Sequence, residues 1–292
     1  MSTWHQVAGS LSHRREWALP SAVIATLVGI LYAPVLVRLV QQWWQDPNYS
    51  HGFVVPLFFL FLLWNERDRW QHISAEPATR WGIAGMIVAV GLLVLGALGA
   101  ELFVSRLSFL VLLAGLVLFF VGWKLLRAWM FPLCFLLFMI PLPGIIYYQI
   151  TFPLQLLASR FAGTTLDLLQ VPALREGNLI ILPNDTLAVA EACSGIRSLF
   201  SLLAMAVAYG YIVEKNNWRR SALAVLMIPI AIVSNGFRIV GTALVAYFIG
   251  PAWAEGFFHF FAGWLIFVVA LALMLLVHRA IDWRGYLGKE KS

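Results

Sequence analysis

Long apolar segments, separated by short polar ones, run along almost all of the 292-residue chain. A transmembrane helix needs about 20 mostly apolar residues, and segments near that length recur here. The second of them is short and is extended back to Tyr49. The pattern predicts about eight membrane-spanning helices, at residues 17–40, 49–64, 81–100, 107–123, 128–148, 193–213, 221–248 and 256–277.

The longest segment that is not predicted to span the membrane covers residues 147–192. Within it, residues 152–161 suit an amphipathic helix lying at the membrane surface. Residues 179–182 and 186–190 read as short strands on either side of a Pro-Asn-Asp turn. We find no internal repeat and no glycine-rich phosphate loop. The predicted fold is an all-α, polytopic membrane helical bundle that forms one integral-membrane domain over residues 1–292.

Composition agrees with this fold. The chain is 61% hydrophobic and only 12% charged, whereas soluble domains carry about 25% charged residues. So few charges cannot cover a surface in water, which excludes a soluble enzyme, a disordered chain and a coiled coil. The two cysteines, Cys134 and Cys193, exclude a disulfide scaffold and lack C-x-x-C spacing. The first apolar segment is too long for a removed signal peptide, so we expect a retained anchor.

The placement of charges predicts the orientation. With the N-terminus inside, 14 of the 20 basic residues fall on the cytoplasmic side, as the positive-inside rule requires. Both termini are then cytoplasmic, and segment 147–192 lies outside. The net charge of +6 needs no nucleic-acid partner, because the bilayer accounts for its distribution. The remaining basic residues lie outside or buried: Arg38, Arg106, Arg160, Arg175, Arg197 and Arg238.

Ionisable groups within membrane spans are costly, so each is a functional candidate. Cys193 enters the sixth predicted span from outside, with Glu191 and Ser194 beside it and Arg197 four residues later. Cys193 and Arg197 share one helix face. A helix N-terminus and a cation both favour the reactive thiolate, whereas a close Glu191 opposes it. The alternative is a small buried cysteine and an arginine that reaches to the lipid headgroups.

Arg238 lies in the seventh predicted span, within Asn235-Gly236-Phe237-Arg238-Ile239. At 1.5 Å per residue it is about 26 Å from the cytoplasmic end. Asn235, one turn away on the same face, could hold the guanidinium through a hydrogen bond. An arginine flanked by apolar residues on both sides is expensive in lipid, which favours a functional role. The alternative is an arginine that reaches outward or only joins helices.

Two histidines complete the candidate residues. A lone histidine among aromatic residues, such as His259, more often packs than reacts. However, the predicted topology puts Cys193, Arg238 and His259 at the same outer level of three different helices. His51 precedes the second span, where we favour a structural role or a substrate contact over a second catalytic base. Cys134 has no polar neighbours in sequence and is interpreted as a packing residue.

A thiol, an imidazole and a guanidinium at one level suit acyl transfer. Cys193 thiolate would attack a carbonyl, and His259 would take and return the proton. Arg238 would stabilise the oxyanion, hold the thiolate or bind a substrate carboxylate. The site would open at the outer membrane interface, so a peptide segment beside a membrane anchor is the natural substrate. We expect Arg197, Asn235, Ser194, Glu191 and His51 to support the site or to contact substrate.

Other functions fit these residues less well. A small-solute transporter could use Arg197 and Arg238 as an anion site, but no inverted repeat or matched pair of broken helices is visible. A thiol redox enzyme lacks its second outer cysteine. A membrane acyltransferase with a thioester on Cys193 needs the same activated thiol and stays open. We expect no metal and no organic cofactor, because the six histidines are scattered and lack ligand spacing.

Four motifs follow one another over nearly the whole chain. They are Tyr49-Ser50-His51-Gly52, Ala192-Cys193-Ser194-Gly195-Ile196-Arg197-Ser198, Asn235-Gly236-Phe237-Arg238-Ile239, and His259 followed by Gly263. In this order they resemble the exosortase/archaeosortase family of multispanning cysteine transpeptidases. Cys-Ser-Gly alone is a weak signal, but the ordered set at matching membrane depths is highly specific.

The resemblance implies a catalytic set that carries over to Cys193, Arg238 and His259. It also implies membrane-anchored protein substrates with a C-terminal sorting signal of the PEP-CTERM type. Such a signal consists of a short Pro-Glu-Pro-like motif, a transmembrane helix and a basic cytoplasmic tail. The enzyme would cut near the motif at the outer face of the bacterial inner membrane. It would pass the acyl group to another nucleophile, often in connection with extracellular polysaccharide.

Overall fold

The protein is almost entirely helical. The structure, a computed structural model, describes the backbone of residues 3–189, 195–255 and 257–289, and the side chains of Leu19 and of residues 22–189, 199–254 and 261–280. The longer helices and the strands alternate with short helical turns. The α-helices are α1 (Thr3–Gln45), α2 (Val54–Asn65), α3 (Arg67–Gln71), α4 (Thr79–Leu98), α5 (Leu102–Phe120), α6 (Trp123–Ala128), α7 (Met130–Phe135), α8 (Gly144–Leu168), α9 (Gly195–Val213), α10 (Asn217–Phe248), α11 (Pro251–Glu255) and α12 (Phe257–Lys289). Two 3₁₀ helices cover Pro47–Phe53 and Leu136–Met139, and the strands are β1 (Leu174–Glu176), β2 (Leu179–Leu182) and β3 (Asp185–Ala188).

Several helices are long and apolar enough to cross a membrane. In the described part of the chain there are five, or six if one interrupted pair counts as a single span. The predicted class, a helical integral membrane protein, is thereby confirmed. The count of about eight spans, the cytoplasmic termini and the single domain stay predictions. The five helical segments are Ala22–Gln45, Thr79–Leu98, Leu102–Phe120, Asn217–Phe248 and Phe261–Ala280.

The predicted span at residues 128–148 is not one helix in the structure. α7 and the 3₁₀ helix after it end at Met139, and α8 begins at Gly144. Pro141 and Pro143 lie in the gap. Proline lacks the N–H that would continue a helix and disfavours helical geometry in the residue before it, which explains the interruption. The helix expected at 152–161 is present but longer, as the middle of the 25-residue helix α8, and its place at the membrane surface stays a prediction.

One other predicted span has a short helix, and another is described only in part. The segment at 49–64 begins as the 3₁₀ helix Pro47–Phe53 and continues as α2, which has only 12 residues. The sixth predicted span, 193–213, is described from Gly195 onward as α9. Twelve residues of helix rise about 18 Å, which is less than the hydrocarbon core of a bilayer.

A small antiparallel sheet lies between α8 and α9 in the chain, with strand order β1-β2-β3. Its second hairpin confirms the strand expected at 179–182. The strand expected at 186–190 is present with different bounds, as β3, because Asp185 already pairs with Leu182 across a two-residue turn. β1 was not expected, and it pairs Glu176 with Leu179. Its three residues are all exposed, so they lack the alternation of buried and exposed positions that identifies a strand in sequence.

The chain forms two compact units, one of Met1–Gln45 with Leu60–Ile140 and one of Asp46–Phe59 with Pro141–Ser292. In the first unit, α4 and α5 pack closely because glycines face the contact. A Cβ on Gly85 would lie 3.2 Å from the Gly115 Cα. The buried Tyr32 hydroxyl of α1 is 3.0 Å from the Ser108 hydroxyl of α5.

Two apolar cores organise the second unit. One lies between α8, the sheet and the C-terminal half of α10, and the other lies between α9, α10 and α12. Both cores include residues of α10. This helix therefore fixes the positions of its own side chains relative to the sheet, α9 and α12. The first core contains Ala158, Ala162, Leu166, Ile180, Leu182, Leu187, Ile239, Val240, Ala243 and Ala246. The second contains Leu199, Leu202, Ala206, Met227, Ala231, Ala270 and Met274.

Candidate active site

Arg238 is held inside the second unit by the helix that carries it. α10 begins at an N-cap where the Asn216 side chain accepts a hydrogen bond from the Trp218 N–H, and it continues for 32 residues. Arg238 lies on its buried face and is only 3% exposed. Thr242, one turn further on, donates a hydrogen bond from its hydroxyl to the Arg238 carbonyl at 3.0 Å. Arg238 is therefore an interior cation and not an arginine at the protein surface.

The guanidinium of Arg238 lies against α12 at Gly263. A Cβ built on Gly263 would be 3.4 Å from Nη2 and 3.6 Å from Cζ of Arg238. Only the five residues of α11 and a few linking residues connect α10 to α12, so the two helices return antiparallel. Deeper along the same pair, Ala231 and Ala270 share a buried core. The absence of a side chain at Gly263 thus makes room for the arginine head group.

His259 precedes Gly263 by four residues in α12. Residues four apart share one face of a helix, so the position of His259 lies on the face that meets Arg238, one turn nearer to the start of α12. The His259 side chain lies outside the described residues. Two of the three expected catalytic positions, Arg238 and His259, therefore come from helices that pack on each other at this level.

The third expected position, Cys193, lies outside the described residues, as do Glu191 and Ser194. The backbone of Arg197 is described within α9, without its side chain. The chain reaches this stretch from β3, whose last residue is Ala188, and leaves it at Gly195. The roles of Cys193, Glu191, Ser194 and Arg197 stay predictions.

Asn235 does not make the hydrogen bond expected from the sequence. Its Oδ1 atom is buried and accepts no hydrogen bond from the described residues. Gly236, next to it, packs against the ring of Phe161 on α8, which a Cβ at this position would overlap. Asn235 is a neighbour of Arg238 on the helix surface because it lies three residues before it, and the described residues leave its carbonyl oxygen without a hydrogen bond.

The segment Pro47–Phe53 comes near the start of α9. The Asp46 side chain caps it by accepting the Asn48 N–H at 2.9 Å. Tyr49 packs on Tyr147, with ring centroids 6.3 Å apart. Tyr147 in turn stacks on Phe200 of α9, with ring centroids 6.4 Å apart and an interplanar angle of 19°. The half-buried His51 is thus carried next to the helix that follows Cys193, and its role stays a prediction.

A second polar cluster, not predicted from the sequence, lies at the other end of α10. The buried His278 of α12 has Nε2 2.9 Å from Glu214 Oε1 and Nδ1 2.9 Å from the Tyr209 hydroxyl. Arg219 Nη1 lies 3.7 Å from the same carboxylate oxygen. The sequence signal for this cluster is a glutamate directly after one apolar helix and a histidine near the end of another.

Ser234 is another buried polar residue that the sequence did not predict. It is 3% exposed, and its hydroxyl has no hydrogen-bond partner within the described part of the chain. It lies one turn before Arg238 on the same face of α10. In the sequence, a serine within an apolar helix does not indicate whether its hydroxyl is buried or has a hydrogen-bond partner.

Cys134 differs from its interpretation as a packing residue, because the structure leaves it exposed. The neighbouring Leu133 and Phe135 are buried instead. The helical phase of α7 turns Cys134 away from the core, and the apolar run around it did not reveal that phase.

The fold defines a class: a multi-pass helical membrane protein with an arginine buried between two of its long helices. The family model for transmembrane exosortases matches residues 43–276. This chain belongs to the transmembrane exosortase family, which confirms the resemblance. Membership supports a general role as a membrane transpeptidase in protein sorting. Neither the comparison with curated proteins nor the comparison with solved structures gave a match.

Proposed function

We propose that this protein is a membrane-embedded cysteine transpeptidase that cleaves C-terminal sorting signals of exported proteins. Cys193 is the nucleophile, His259 is the general acid and base, and Arg238 stabilises the developing negative charge. The reaction takes place at the outer face of the bacterial inner membrane. The substrates carry a Pro-Glu-Pro-like motif, an apolar helix and a basic tail.

The reaction proceeds through an acyl-enzyme. The Cys193 thiolate attacks the scissile carbonyl carbon, and the carbonyl electrons move onto oxygen. When the tetrahedral intermediate collapses, the C–N bond breaks and His259 gives its proton to the leaving amine. The acyl group is then a thioester on Cys193. A second nucleophile, water or an amine, attacks this thioester while His259 takes its proton, and the thiolate is released.

The observation that carries this proposal is the position of the Arg238 guanidinium. It is buried, and it lies against Gly263 of the helix that bears His259 one turn away. A fixed positive charge in a water-poor site stabilises an oxyanion more strongly than it would in water, by several kcal/mol. We therefore assign the oxyanion to Arg238.

The proposal is tested by expressing the protein with a membrane-anchored substrate that ends in a sorting signal. The change Cys193→Ala removes the nucleophile and is expected to abolish processing, measured as the shift of the substrate to its shorter form. Cys134→Ala is the matched control. It removes the other thiol of the chain, which is exposed on α7, and should leave processing unchanged.

Two results separate the proposal from its alternatives. Normal processing by the Cys193→Ala protein would overturn the cysteine mechanism. Mass spectrometry of the thioester trapped on Cys193 should identify a peptide acyl group. A fatty acyl group there would instead establish a membrane acyltransferase.

A further inference from the structure

Two buried polar atoms lie one turn from Arg238 on α10. The Ser234 hydroxyl and the Asn235 carboxamide oxygen have no hydrogen-bond partner among the residues that the structure describes. The Ser234 side chain is buried, at 3% exposure. A buried polar group without a partner costs free energy, and such groups in native proteins call for an explanation.

Other buried hydroxyls in this unit do have partners. Thr242 on the same helix donates to the Arg238 carbonyl at 3.0 Å. Ser159 on α8 donates to the Gly177 carbonyl at 2.8 Å. A serine in a helix can bond in the same way to the carbonyl of the preceding turn. Ser234 does not do so, and its hydroxyl is therefore available for a bond to something else.

The positions of these atoms relate them to the candidate active site. Ser234 and Asn235 precede Arg238 by four and three residues, so each is a neighbour of Arg238 on the helix surface, one on either side of it. They lie nearer to the middle of α10 than Arg238 does. The same face packs against α12, at Gly263 beside Arg238 and in the core with Ala270. A ligand that contacts Arg238 and continues toward the middle of the helix would meet them.

Their chemistry matches a peptide group. A hydroxyl donates to a carbonyl oxygen, and a carboxamide oxygen accepts from an N–H. A peptide that is cleaved beside Arg238 has to be extended there, which breaks its helical hydrogen bonds. In a membrane interior each freed backbone N–H and C=O needs a partner from the protein, because no water supplies one.

We infer that Ser234 and Asn235 bind the backbone of the substrate on the membrane side of the bond that is cleaved. The Ser234 hydroxyl donates to a substrate carbonyl, and the Asn235 Oδ1 accepts a substrate N–H. The two residues thereby hold the first turn of the substrate helix in an unwound form. This inference rests on the proposed function, since it assigns the substrate of the same site.

The test measures binding in the Cys193→Ala protein, which holds substrate without turnover. The probe is a synthetic peptide with a Pro-Glu-Pro motif, an apolar helix and a basic tail, and its affinity for the protein in lipid nanodiscs is measured by fluorescence anisotropy. Ser234→Ala and Asn235→Leu should each weaken binding about tenfold. Thr242→Val is the matched control, because that hydroxyl already has its partner in the Arg238 carbonyl, and it should leave affinity unchanged.

A second series changes the peptide and measures each change in the Cys193→Ala protein with and without Asn235→Leu. Each of the peptide bonds after the motif is replaced in turn by an ester, which removes one N–H. One ester should weaken binding about tenfold. The same ester should cause no further loss in the Asn235→Leu protein, because the bond is then already gone. If Asn235 had a purely structural role, the ester would weaken binding by the same factor with and without Asn235→Leu.

The outcomes separate this inference from the proposed function. Equal binding of all the esters, or an ester loss that adds fully to the Asn235→Leu loss, would overturn the inference alone. Cleavage by the protein that lacks Cys193, with the expected ester effect, would overturn the cysteine mechanism alone. A protein that bound none of the peptides would overturn both.

Discussion

At the scale of single residues, Gly263 decides how closely α12 approaches the Arg238 guanidinium. A methyl group at this position would stand 3.4 Å from Nη2, an ordinary contact distance. A larger side chain would occupy the space of the guanidinium itself. The position therefore accepts glycine or alanine, and the volume of the neighbouring guanidinium excludes larger side chains.

We expect Gly263→Ala to retain processing and Gly263→Leu to lose it by about a hundredfold, because catalysis is sensitive to displacements of about 1 Å. The measurement is the rate of substrate shortening in membranes that contain equal amounts of each variant. The alanine variant serves as the control for the helix itself. Equal rates for the leucine variant and the unchanged protein would refute the role given to Arg238.

At the scale of helices, close packing of α4 on α5 depends on which glycines face the contact. A Cβ on Gly115 would lie 3.1 Å from the Met86 N atom, and one on Gly85 would lie 3.2 Å from the Gly115 Cα. Gly91 belongs to the same helix as Gly85, yet a Cβ there would meet nothing within 4 Å. Small residues at such contacts let membrane helices approach closely.

Gly85→Val should therefore destabilise the protein by about 1–3 kcal/mol, since the added carbons press on backbone that cannot move aside. Gly91→Val, the control in the same helix, should change stability by less than about 0.5 kcal/mol. Unfolding in increasing denaturing detergent gives the difference. Equal stabilities for the two valine variants would show that α4 and α5 are not packed through Gly85.

At the scale of the whole molecule, the polar cluster of Glu214, His278 and Tyr209 lies about 30 Å along α10 from Arg238. It ties the turn between α9 and α10 to the late part of α12. Glu214 is 7% exposed and His278 is 8% exposed. Loss of one partner from such a buried group leaves the others in an apolar environment without compensation.

Glu214→Ala should lower the free energy of unfolding by about 3 kcal/mol. Glu76→Ala is the control, because the ion pair of Glu76 with Lys124 is at the surface, where such pairs contribute at most about 1 kcal/mol. Thermal unfolding of the two purified variants in one detergent gives the comparison. If the Glu214 variant were as stable as the control, the cluster would not stabilise the fold by joining the α9–α10 turn to α12.

Orientation in the membrane also belongs to this scale. The positive-inside rule predicts that Cys193 faces outward and that Cys134 lies toward the cytoplasmic side. A thiol reagent that does not cross membranes should therefore label Cys193 in intact cells and leave Cys134 unlabelled until the cells are opened. The single-cysteine variants Cys134→Ala and Cys193→Ala report each position separately. The reverse pattern would invert the topology.

The amino-acid sequence by itself determined the class of the protein, most of its long helices, the hairpin of β2 and β3, and its family. These follow from local properties: apolar length, charge placement, a turn signal and ordered motifs. Arg238 also stood out in sequence, because a cation among apolar residues is conspicuous wherever it packs.

Only the tertiary structure decided which groups share a neighbourhood. The meeting of Arg238 with Gly263, the lack of partners for Ser234 and Asn235 among the described residues, and the joining of Glu214 to His278 depend on contacts between helices far apart in the chain. Helical phase decided the exposure of Cys134 in the same way. An apolar run fixes how far a helix extends, but not which of its sides faces another helix, because lipid and protein interior accept the same side chains.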